Sequence, residues 1–245
     1  MSVSVLIRVG TLLLLGSSVA MAQGTLGGYI GYPGQPPRMD STPYSADTVT
    51  VSDRTLADGN HIHHETHGKI YRDSQGRMRT DTELRVPAEA ADVVRVFIND
   101  PVQRVSISLN PDLHTATITH FPDPAKIAVP RAAIPANTTT QTSEQPKVDI
   151  KHEDLGTQEI EGVLARGTRT TRTIPSGAEG NDQPIVVVIE SWTSQELGTG
   201  VLRKSSDPRL GTSEHRLTNI QRGEPDPALF QVPADYKVKD NGTPQ

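Results

Sequence analysis

Between Lys147 and Tyr236, Gly, Pro, Asn or Asp breaks the β-prone runs about every eight to twelve residues, and this spacing restricts the fold most. The runs are Lys147 to Ile150, Glu159 to Glu161, Val163 to Ile174, Ile185 to Trp192, Val201 to Lys204 and His215 to Ile220. Segments this short pair with near neighbours through tight turns, which predicts the back half of a curved antiparallel sheet. Residues 46–121 extend the pattern forward. Thr48-Val49-Thr50-Val51 begins a run that ends at Asp58-Gly59, a strong hairpin signal. His61 to Tyr71 returns, Asp73 to Gly76 turns again, and runs at Arg77 to Val86, Val93 to Ile98, Val105 to Leu109 and Thr115 to Phe121 complete six strands.

Little apolar material is available to cover such a sheet. Leu, Ile, Val and Phe make up about one in five residues after position 22, near the level at which highly charged chains stay unfolded. The net charge is only −5, so a thin fold is allowed and a massive core is not. The expectation is therefore a mainly β protein: a single curved antiparallel sheet, a half-barrel-like meander, with few short helical turns.

The domain layout follows from composition. Arg8, the apolar segment Val9 to Gly16 and Ala20-Met21-Ala22 have the layout of a secretory signal peptide over 1–22. The apolar segment is too short to span a bilayer core, so no stable membrane anchor is expected after cleavage, and with no cysteine there is no lipid attachment site. Residues 23–43 are rich in Gly and Pro and read as a flexible linker. A single β-rich domain is expected over 44–238, with a Pro-rich loop at 122–146 that has room for one helical turn near Ala125 to Val129, and a flexible tail over 239–245. Asp226 can cap a short turn with Pro227 at its first position, aiming Leu229 and Phe230 at the concave face.

Several chemistries are excluded. With 29 acidic against 24 basic residues the chain lacks the positive footprint of a nucleic-acid binder. The absence of cysteine removes disulfides, thiolate metal sites and cysteine nucleophiles. No nucleophile elbow and no phosphate-cradling glycine loop is present, so the protein reads as no enzyme and no cofactor is expected. The sharpest polar feature is His61-Ile62-His63-His64-Glu65-Thr66-His67. On a strand His61, His63, Glu65 and His67 share a face, and imidazoles there are candidate zinc or copper ligands. Neighbouring same-face positions lie about 7 Å apart, however, so one straight strand rarely offers three ligands to one ion. Ile185 to Ile189 form the most apolar run, which implies cover on both faces and a central strand. Val186, Val188 and Trp192 share one face of it and, with Phe230, are the candidate lining of an apolar ligand site.

Leu56-Ala57-Asp58-Gly59-Asn60, Tyr71 to Arg77, Asn99-Asp100-Pro101, Glu153 to Gly162, Trp192 and Asn219 to Pro227 together resemble an uncharacterised family of secreted soil-bacterial proteins. More distantly, the signal peptide, the meander, the Leu155-Gly156 to Gly162 segment, the strand with Trp192 and the closing Asp226-Pro227-Ala228-Leu229-Phe230 resemble the outer-membrane lipoprotein carrier superfamily. That resemblance implies a half-barrel whose concave face binds acyl chains or a peptide, with relatives that sense envelope stress. The long helices that cover the concavity in that superfamily have no counterpart here. The leading expectation is a noncatalytic periplasmic or secreted carrier of an acyl-chain or other lipid ligand. The alternative is an envelope interaction or stress-sensor protein that binds another protein through a sheet edge. A metal-dependent hydrolase built on the histidine strand ranks below both.

Overall fold

The computed structural model describes residues 42–84, 93–122 and 148–242. The expected signal peptide, the linker before residue 42 and nearly all of the Pro-rich loop with its helical turn lie outside these residues. Six strands form the front half: β1 (Tyr44–Thr55), β2 (His61–Arg72), β3 (Met78–Leu84), β4 (Val93–Asp100), β5 (Val105–Asn110) and β6 (Thr115–His120). The back half holds β7 (Asp149–Ile160), β8 (Val163–Ile174), β9 (Ile185–Ser194), β10 (Thr199–Asp207), β11 (Gly211–Arg222), a 3-10 turn (Pro227–Phe230) and β12 (Lys237–Asp240). All twelve strands join one open sheet in the order β12-β6-β5-β4-β3-β2-β1-β11-β10-β9-β8-β7. Both halves thus belong to one layer, and the pairing of β1 with β11 stitches them together.

Turn chemistry fixes the hairpins where the sequence signals it. Gly59 takes a φ of 84°, and the Asp58 carboxylate accepts the Asn60 amide at 2.9 Å. At the next turn Asp73 Oδ1 accepts the amides of Gln75 and Arg77 at 3.0 and 2.8 Å, while its other oxygen takes the Arg77 side chain at 2.6 Å. Three irregularities bend the back half. They fall opposite Ala46 on β11, at Val201 on β10 and at Leu155 on β7. The first is held by Asn219, whose φ is 52° and whose side-chain amide donates to Asp47 at 2.7 Å. An extra residue on one strand increases local twist, which curves the sheet.

Two apolar clusters hold this layer. One packs Val96, Ile98, Val105, Ile107, Leu109 and Ala116 of β4, β5 and β6 beneath Phe230, which is only 2% exposed. Asp226 caps the 3-10 turn as expected: its carboxylate accepts the Ala228 amide at 2.9 Å. Arg77 lies over the Phe230 ring at 4.9 Å, and Arg79 donates to the Leu229 carbonyl at 2.9 Å, so the closing segment is fastened by polar contacts as well as by the ring. The other cluster gathers Tyr44, Ala46, Ile70, Trp192, Val201 and Leu217 among others, where β1, β2 and β8 to β11 converge.

One expectation is corrected here. The apolar run in β9 is not central and is not covered on both faces: the strand lies third from the β7 edge, and Val186 is 43% exposed. A single-layer sheet has no second layer to bury both faces, so its most apolar strand stays partly open. The curved sheet is antiparallel as expected through its other pairings, and β12 adds to it parallel to β6. That strand runs two residues past position 238, where the domain was expected to end.

Candidate functional site

Strand register places the side chains of the candidate site. Antiparallel partners share a face, and the pairings lay Glu153, Arg169, Glu190, Lys204, Glu214 and Val51 in one row across β7, β8, β9, β10, β11 and β1. The first five alternate in sign. Arg169 donates from Nε and Nη2 to one Glu190 oxygen at 2.9 and 2.7 Å, with Glu153 at 3.9 Å on its other side. Lys204 lies 3.2 Å from Glu214, and Arg216 lies 3.4 Å from the other oxygen of the same carboxylate. This face is therefore crossed by a row of mutually answered charges, each able to draw on water because none is deeply buried.

The rows on either side differ in character. One holds Asp53, Thr212, Ser206, Val188, Thr171 and Lys151. The other runs through Val49, Arg216, Leu202, Trp192 and Gly167. Trp192 is 8% exposed and lies flat against Gly167: a Cβ there would sit 2.6 to 2.8 Å from three ring carbons. Only glycine admits so close an approach. Between β1 and β9 the middle of this face opens into a groove of about 450 Å³, with Val51 and Val188 as its apolar residues and Lys204, Glu214, Arg216 and Asp53 among its polar ones.

The four residues expected to line one apolar site are not brought together. Val188 lines the groove, and Val186 follows it along β9 in the open. Trp192 is packed into the cluster with Tyr44, and Phe230 fills the other cluster over β4 and β5. The same sheet face is thus plugged by the closing segment on one half and open on the other. Val51, Lys204, Glu214 and Arg216 were missed: the last three meet across the β10–β11 hairpin, and only the pairing of β1 with β11, between segments far apart in sequence, brings Val51 to them.

The histidine strand forms as expected, and His61, His63, Glu65 and His67 share a face. Each has its own neighbour: His61 Nδ1 meets Thr55 Oγ1 at 3.0 Å, His63 Nδ1 meets Asp53 at 2.7 Å, and His67 meets Glu65 at 3.3 Å. Hydrogen bonding to Asp53, with its charge, raises the His63 imidazole above its ordinary value. Among the described residues no three His, Asp or Glu side chains are grouped to hold a metal ion. On the opposite face His215 is largely buried, and its Nδ1 meets Thr50 Oγ1 at 2.7 Å while Nε2 has no hydrogen-bond partner among the described residues. Burial first, and then the nearby Arg203 charge, lowers its pKa.

Both sheet edges resist pairing with another chain. β7 is long but interrupted at Gly156, with φ of 77°, and carries Lys151, Glu153, Asp154 and Glu159. β12 has four residues, two of them lysine. An interruption, charges and shortness each blunt an edge.

No family model and no curated protein matches the sequence. Among solved structures the chain is similar to an uncharacterised conserved protein from Thermus thermophilus, at 13% identity and a TM-score of 0.42, covering 82% of this chain and 91% of that one. It is also similar to MucB in a complex with MucA(peri), at 12% identity and a TM-score of 0.41, over 81% of this chain and 57% of the other. LprF from Mycobacterium bovis follows at 12% identity and a TM-score of 0.32, over 80% and 90% of the respective chains. At these scores the likeness is one of general outline.

Proposed function

We propose that this is a noncatalytic, extracytoplasmic binding protein that holds an acyl-chain-bearing ligand in the groove between β1 and β9. The observation that carries the reading is the groove itself, which has the volume of a small-molecule site and places Val51 and Val188 within it. A chain laid along β9 from Val188 toward Val186 would cover apolar surface now exposed to water, and that transfer is favourable. The neighbouring charges do not forbid it, because Arg169 already answers Glu190 and Lys204 answers Glu214. Strand addition at a sheet edge, the competing way to bind a partner, has a poor template in β7 and β12.

Titration with a fluorescent fatty-acid probe tests this. Saturable binding is expected, and Val188→Glu should weaken it about tenfold or more, because a carboxylate against the chain must be desolvated without a partner. Native mass spectra without co-purified lipid, together with no saturable probe binding, would remove the reading.

A further inference from the structure

The polar part of the groove carries information about the ligand's head. Its carboxylates are unequally supplied with cations. Glu190 is taken by Arg169 through two hydrogen bonds, and Asp53 is met by His63 at 2.7 Å. Glu214 is shared by two cations, Lys204 at one oxygen and Arg216 at the other. One carboxylate cannot neutralise two full positive charges, so the Lys204-Glu214-Arg216 group, taken by itself, carries about one positive charge in excess. Both cations are about half exposed, with side-chain exposures of 50% and 48%, and both line the groove. Register places them on two adjacent strands, with Leu202 and Glu214 completing the cross-strand pairs.

Resting on the reading that the groove takes an amphiphile, we propose that Lys204 and Arg216 select one with an anionic head, carboxylate or phosphate, whose oxygens take the charge Glu214 leaves unanswered. Arginine suits this role because its planar fork donates two parallel hydrogen bonds to such oxygens, and the Arg216 contact with Glu214 is a single long one. The chain then leaves the head over Val51 or Val188, both of which line the same groove.

The test compares amphiphiles of equal chain length in the full protein: dodecanoate, dodecanol, dodecyltrimethylammonium and dodecyl phosphate. Dodecanoate and dodecyl phosphate should bind at least about tenfold more tightly than dodecanol, and the ammonium compound should bind most weakly. Arg216→Gln and Lys204→Gln should each weaken dodecanoate and dodecyl phosphate more than dodecanol, removing most of the anion preference. A ranking of carboxylate against phosphate distinguishes the two head types. Raising the salt concentration should weaken the anions alone, as expected for partly exposed charges. Equal binding of all four heads, or equal loss of all four in the glutamine variants, would overturn the selection by charge while leaving the groove reading intact. If no amphiphile binds at all, it is the groove reading that fails.

Discussion

Replacing Gly167 by Ala tests the packing that braces the open half of the sheet. The added methyl would begin 2.6 Å from one Trp192 ring carbon and 2.7 and 2.8 Å from two others, inside van der Waals contact. The ring is 8% exposed and wedged among Ala165, Val201 and their neighbours, so it cannot swing aside freely. Overpacking of this kind costs about 1–3 kcal/mol. Against it stands the entropy that alanine saves over glycine in a strand, roughly 0.5–1 kcal/mol. The net expectation is a loss of about 1–2 kcal/mol, or roughly 2–8 °C in Tm for a domain of this size. Thermal unfolding followed by circular dichroism reads this directly. In a Trp192→Leu background the same change should become neutral or stabilising by up to about 1 kcal/mol, because the clash has gone. A Gly167→Ala variant as stable as its parent, or an equal loss with and without the indole, would refute the reasoning.

Phe230→Ala should cost about 3–5 kcal/mol in chemical denaturation, since the ring fills the cluster over β4 and β5 and carries the Arg77 contact. In NMR titrations the His63 ring should titrate above 6.5, and Asp53→Asn should bring it back toward that value. The sign follows: a folded pKa above the unfolded one stabilises the protein below the unfolded value, and that contribution fades as pH rises through the raised pKa. His215 works the other way. Its lowered pKa leaves full stability above about pH 6.5, with a loss as pH falls from there toward the folded value, so the unfolding midpoint should drop on acidification and His215→Gln should flatten that slope.

Much of the fold is legible in the sequence because turns leave strong local marks. Asp58-Gly59, Asp73 to Gly76 and the Asp226-Pro227 cap each act within a few residues, and each appears where the sequence places it. The alternation of His61 to His67 likewise fixes which side chains share a face. What local pattern could not supply is the register between distant segments. The pairing of Val51 with Glu214 closes the groove, and it is not visible before the strand order is known. The apolar run of β9 misled for a related reason: a run of valines and isoleucines signals burial only if a second layer exists to provide it. Segments Lys147 to Ile150 and Glu159 to Glu161 read as separate runs because Gly156 lies between them. In the structure the single strand β7 passes through that glycine as an irregularity.

The division of one sheet face into a plugged half and an open half can be observed with a single isotope label, because valines lie in both. Methyl spectra of valine-labelled protein, titrated with dodecanoate, should show the Val51 and Val188 signals moving first and together. Val96 and Val105, sealed beneath Phe230, should hold their positions. Movement of Val96 and Val105 with Val51 and Val188 unchanged would place any ligand under the closing segment instead, and would contradict a binding groove between β1 and β9.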